Sequence, residues 1–268
     1  MIVTIDDVLD PRLNAFRWRE RQLTTIAQRK SALNEGLFIA EGDLVVHRAL
    51  EAGCVPDVVL CDPKCATEFS DAVHTAGGTT LVASADIRRE VTGLGVPLDA
   101  IGVFRRPPLV STGDLIAQST RLIVLDCVDN PSNVGSIART AAALGWDGLL
   151  LDSTSSDPLS RRALRVSMGT TFKLGFARFA STNEILAQLH QSGFATIGLT
   201  PHHESREVTN LRSIQIEGKR ALVLGSERQG LSDASLELCT QLANITMADG
   251  VDSLNVASAS AIACFALL

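Results

Sequence analysis

The chain has 268 residues, 46% of them hydrophobic and 20% charged, so it can bury a substantial core in one large or two modest domains, and a disordered or fibrous chain is excluded. Thirty acidic against 24 basic residues leave a net charge of −6, which weakens general attraction to a polyanion. Any nucleic-acid contact must therefore be local, and the basic residues do cluster: Arg12, Arg17, Arg19, Arg21, Arg29 and Lys30; Arg88 and Arg89; Arg105 and Arg106; Arg161, Arg162 and Arg165.

In the first part of the chain, apolar strand-like runs (LFIAEG, PDVVLCD, TTLVAS, AIGVFRR) alternate with helix-like ones (DLVVHRALEAG, ATEFSDAVHTAGG, SADIRREVTG), each closed by glycine or a turn. This predicts a small α/β domain over residues 1–105. FRRPPLVSTGD then puts two prolines, a glycine and small polar residues between apolar runs, which reads as a linker over 106–118. From 119 to 268 the alternation is stronger: strands at RLIVLDC, DGLLLD, LGFARF, ATIGLT, KRALVLG and ANITM, and helices at VGSIARTAAALG, SRRALRVSM, NEILAQLHQSG, DASLELCT and SLNVASASAIACFALL. Near-continuous apolar strands between helices predict a parallel sheet covered on both faces, with its ligands beyond the carboxyl ends of the strands.

No apolar run approaches the roughly 20 residues that cross a bilayer, and MIVTIDDVLD lacks the regions of a signal peptide, so the expected place is the cytoplasm, with the six cysteines reduced. Cys61, Cys65 and His74 fit no zinc spacing, and no metal is expected. His202 and His203 in TPHHES read as a solvated turn.

Three strand-to-helix loops carry the unusual chemistry: DNPSNVGSIAR, LGSERQGLS and ITMADGVDSLN. None is a Walker loop, a dinucleotide-binding G-x-G-x-x-G or a G-x-S-x-G elbow. Each alone fits ordinary capping and turn chemistry. Together, the motifs N-x-G-x-x-x-R (Asn133, Gly135, Arg139), L-G-x-E-x-x-G (Leu224, Gly225, Glu227, Gly230) and S-L-N-V (Ser253 to Val256) resemble the SpoU, or TrmH-like, RNA ribose 2′-O-methyltransferases of the SPOUT superfamily. RVSMGTTFKLGF looks like the R-x-S-M-G stretch of that family, and RKSALNEGLFIAEGDLVVHRALEAG is similar to its small ribosomal-protein-like RNA-binding domain. Residues before Lys30 match nothing in it. Gly175 and Thr246 stand where the family has proline, which leaves the backbone less restricted.

The resemblance implies an α/β parallel-sheet SPOUT domain closed by a deep trefoil knot, S-adenosyl-L-methionine as cofactor, and methyl transfer to a ribose 2′-hydroxyl of RNA, rRNA in preference to tRNA. It implies Leu224, Gly225, Gly230, Ile245, Met247 and Leu254 around the cofactor, with Arg139, Asn133, Glu227, Ser253 and Asn255 as the catalytic set. Arg161, Arg162 and Arg165 follow as phosphate contacts, and a homodimer through the apolar C-terminal helix is implied as well. Small residues at the first loop let RNA and cofactor approach the backbone, with Asn133 and Arg139 directed at the ribose and its phosphate. A guanidinium rarely yields its proton near neutrality, so Arg139 either acts as base only once the site is assembled, or clamps phosphate and hydroxyl while the proton leaves through phosphate or water. Two rivals stand beside this reading: a non-catalytic RNA-binding or ribosome-assembly protein that kept the fold, and methylation of a non-RNA substrate.

Overall fold

The computed structural model describes residues 2–30 and 34–268. The chain divides into two compact units, Met1–Leu109 with Leu159–Phe172, and Val110–Pro158 with Lys173–Leu268.

In the first unit, β1 (Ile2–Ile5) precedes a 3-10 segment at Pro11–Arg17 and two short helices, α1 (Glu20–Leu23) and α2 (Ile26–Lys30). There follow β2 (Leu37–Glu41), α3 (Asp43–Glu51), β3 (Pro56–Cys61), α4 (Ala66–Thr75), β4 (Thr79–Ala83), α5 (Ala85–Thr92) and β5 (Ala100–Arg105). The sheet runs β1-β4-β3-β5-β2, with β5 antiparallel to both of its neighbours and the other pairs parallel. The stretch before Lys30, silent in sequence, belongs to this core: β1 pairs in register with β4, and Leu13 and Phe16 have no exposed surface.

The second unit starts with α6 (Thr112–Gln118), where the sequence suggested linker. Ser111 caps it by accepting the Asp114 amide at 3.0 Å, and Leu115 and Ile116 are buried. Then come β6 (Arg121–Leu125), α7 (Pro131–Ala143) and β7 (Gly148–Leu151). The next helix, α8 (Arg161–Ser167), packs with the first unit against β2, before the chain resumes the second with β8 (Gly175–Arg178), α9 (Thr182–Gln191) and β9 (Ala195–Leu199). It ends with β10 (Val208–Asn210), β11 (Arg220–Leu224), α10 (Asp233–Leu238), β12 (Gln241–Asn244) and α11 (Val256–Ala266).

These strands form one sheet in the order β10-β12-β9-β11-β6-β7-β8, every pair parallel. The period-2 pattern of β6 divides its burial between the faces: Ile123 and Leu125 pack with α7 and α11, Leu122 and Val124 with α6 and α9. Because the strands are parallel, the loops after β6, β9, β11 and β12 all leave at one edge. The last strand is shorter than ANITM suggested: its pairing stops at Asn244, opposite Asn210, which releases Ile245 into the loop.

Candidate functional site

The three loops meet through one side chain. Asn255 caps α11, its Oδ1 accepting the Ala257 and Ser258 amides at 3.0 and 3.4 Å. That orientation turns Nδ2 outward, where it donates to Asn133 Oδ1 at 3.1 Å and to Glu227 Oε1. Residues 122 and 28 positions away are thus brought together by the two hydrogens of a single amide. The first loop prepares its share: Asn130 accepts the Ser132 amide at 2.9 Å and Pro131 opens α7, which leaves Asn133 in the first turn, buried and turned inward.

Beside this junction is a cavity of about 420 Å³ within the second unit. All six residues expected around a cofactor line it, Leu224, Gly225, Gly230, Ile245, Met247 and Leu254, and so do Glu227 and Ser253. Its wall at Gly225 admits no side chain, since a Cβ there would lie 2.2 Å from the Gly230 carbonyl and 2.3 Å from the Leu231 nitrogen. The turn between them is closed by reciprocal amide-to-carbonyl bonds of Ser226 and Gly230, at 2.9 and 3.0 Å. Gly230 supplies the positive φ, +72°, that the turn needs.

Arg139 is exposed, and among the described residues no hydrogen bond or ion pair holds it. Six helical positions turn it about 120° away from Asn133, so the two do not share one direction. The arginines of α8 are placed differently. Arg161 donates to the Phe16 carbonyl at 3.0 Å and the Trp18 carbonyl at 2.5 Å, and it pairs with Glu41 at 3.3 Å. Arg165 reaches the other oxygen of Glu41 at 3.3 Å, while Arg162 is exposed. The Glu41 carboxylate is 2% exposed in its side chain, so this is a buried brace that holds α8 to the first unit.

Asp152 organises the loop beneath the first motif, accepting the amides of Cys127 at 3.1 Å, Thr154 at 3.0 Å and Ser155 at 2.8 Å. Burial raises its pKa, but the hydrogen bonds from Ser155 and Thr154 outweigh it and hold the carboxyl below its usual range. Cys127, beside it at φ +61°, is pushed up by burial. Among the described residues no group of three or more His, Cys, Asp or Glu could hold a metal ion.

Residues 120–265 match the model of the SpoU rRNA Methylase family. The chain belongs to that family. It is an RNA methyltransferase in kind. A Mycobacterium tuberculosis protein described as an uncharacterized tRNA/rRNA methyltransferase is 34% identical over 257 residues, 96% of this chain and 88% of its own. The 23S rRNA (guanosine-2′-O-)-methyltransferase RlmB of Xylella fastidiosa is 30% identical over 173 residues, 65% of this chain and 68% of its own. In fold, an AdoMet-bound rRNA methyltransferase from Sinorhizobium meliloti superposes with a TM-score of 0.83 at 24% identity, covering 99% of this chain and 97% of that one.

Beside the SpoU motifs, the cavity has lining residues that the sequence placed outside the site. Leu199, Thr200, Pro201 and His202 line the cavity from the end of β9, so His202 is a wall residue, whereas His203 does cap a turn, accepting the Ser205 and Arg206 amides. The signal was available only in part: β9 ends at the ligand edge, but its place beside β11 is a fact of sheet order. One departure from the SpoU pattern is compensated. Thr246 Oγ1 accepts the Asn210 side-chain amide at 2.6 Å, a tether in place of the ring that a proline would supply. Gly175 opens β8 where a Cβ would meet Leu115 Cδ1 at 2.6 Å.

Proposed function

We propose that this SpoU-family protein transfers a methyl group from S-adenosyl-L-methionine to a ribose 2′-hydroxyl of RNA, with rRNA as the substrate in preference to tRNA. The observation that carries the reading is the junction of Asn133, Glu227 and Asn255 at the cavity edge, because it assembles all three motifs of the family at one point. The cavity suits the cofactor. Its volume lies in the ligand range, its walls mix apolar side chains with bare backbone at Gly225 and Gly230, and Thr200, Ser226 and Glu227 offer polar ends.

When bound, the cofactor supplies an electrophilic methyl group. The chain's own residues do the rest. Leu224, Gly225, Ile245, Met247 and Leu254 enclose the cofactor and exclude water; Asn255 holds Asn133 and Glu227 in one orientation; Ser253 lies on the wall beside them. Arg139, without a partner among the described residues, keeps its donors for a phosphate and the reacting hydroxyl, which positions the nucleophile for in-line attack. Arg162 is exposed on α8, and Arg161 and Arg165 brace that helix.

The knot and the dimer belong to the same proposal. Residues of the loops after β11 and β12 line the cavity together, and α11 and the residue that ends the chain leave Ile262, Phe265 and Leu268 exposed, apolar surface suited to a second copy. No helix among the described residues is long and apolar enough to cross a membrane.

The deciding experiment follows labelled methyl from S-adenosylmethionine into rRNA and tRNA lacking the modification. Label recovered as 2′-O-methylribose in rRNA, and lost in Arg139→Ala, is the expected result. No label in either RNA would overturn the reading.

A further inference from the structure

The loop that forms the cavity wall, Gly225 to Leu231, is tied at both ends to one residue outside the family motifs. Asp126 follows β6. Its amide donates to the Leu224 carbonyl at 2.8 Å, just before the loop begins. Its Oδ2 accepts the Ser232 amide at 2.9 Å, just after the loop ends, and the Ser235 hydroxyl at 2.7 Å. Asp126 is 2% exposed and Ser235 has no exposed surface, so these are buried bonds to a carboxylate.

We infer that Asp126 is a positioning residue for cofactor binding: it staples the two ends of the Gly225–Leu231 loop and so holds the wall of the cavity in its binding shape. The inference rests on the cofactor reading above. Its physical content is preorganisation. With the ends fixed, the turn closed by Ser226 and Gly230 has less freedom to lose when a ligand docks on its backbone. Without the staple, that freedom is restored to the empty protein, and binding must order the loop. Asp126 lines no part of the cavity, so it acts only through the loop.

The test compares the wild-type full chain with Asp126→Asn and Ser235→Ala, the second a milder change that removes one donor and leaves the carboxylate in place. Three quantities are measured: the Kd for S-adenosylmethionine by calorimetry, amide hydrogen exchange in the empty protein, and kcat against KM for the cofactor. We expect Asp126→Asn to bind about tenfold more weakly and Ser235→Ala about threefold, with KM moved more than kcat, the scale of one or two charge-assisted hydrogen bonds. The amides of Ser226 and Gly230 should exchange faster while those of Leu222 and Val223 in β11 keep their protection. Unchanged Kd with unchanged exchange at Ser226 and Gly230 overturns the inference and leaves the cofactor reading intact. Exchange raised alike throughout the sheet also overturns it, since Asp126 would then be serving general stability. A wild-type chain that binds no S-adenosylmethionine overturns the cofactor reading, and with it the inference.

Discussion

Two arginine-bearing helices of this chain look alike in sequence and do opposite things. IARTAAALG and SRRALRVSM are both short runs of small and apolar residues carrying arginine, and both precede a turn. On α7, Arg139 is exposed and unpartnered among the described residues; on α8, Arg161 and Arg165 converge on the buried Glu41. What separates them is the partner, and the partner is 120 residues away for Arg161. An arginine is open to a substrate only where the fold has not already given it a carboxylate.

The sharpest way to break that comparison is to remove each charge in turn. Arg139→Ala should lower kcat about a thousandfold, the scale of a lost group that contacts the transition state, with no change in melting temperature. A loss of stability there would erase the distinction. Glu41→Ala should do the converse, costing roughly 3 kcal/mol in denaturant unfolding because it leaves Arg161 half-buried without its counter-ion. A neutral result would make α8 as free as α7.

Asn255→Asp sharpens the contrast at the junction itself. The new side chain keeps the oxygen that caps α11 but has no hydrogens for Asn133 and Glu227, so kcat should fall about thirtyfold in a methyl-transfer assay while helix content is retained. The smallest effect concerns Asp152. Its carboxyl sits below the usual range in the folded chain, so it contributes stability at and above the ordinary carboxylate pKa, and that contribution is lost as pH falls through the depressed value. Asp152→Asn should therefore lower the melting temperature by a few degrees at neutral pH and by less in acid.

Much of this was legible in residue order. The alternating apolar runs marked nearly every strand and helix of both units, since burial of both sheet faces leaves few polar positions along a strand. The capping chemistry at Asn130 and Asn255 was equally local. Unread were the parts fixed by distant contacts: β10, three residues long and held by β12; α6, whose apolar residues meet the far face of the sheet; and the return of residues 159–172 to the first unit. At the junction, Asn133, Glu227 and Asn255 could be picked out because each belongs to a local motif of one of the three loops. The placing of His202 on the cavity wall and of Asp126 beside Ser232 could not, because it depends on which strands lie side by side.

The division of the first unit into two stretches of chain has a consequence for synthesis. A polypeptide leaves the ribosome from its N-terminus, so β2 emerges well before α8, the helix that covers it. Until residue 161 has been made, Glu41 has neither Arg161 nor Arg165, and until residue 167 the first unit is short of its last helix. The cover over β2 is therefore finished late, after α7 and the loop before it have already been translated. A nascent chain paused between residues 110 and 158 should be the form most open to proteases and chaperones.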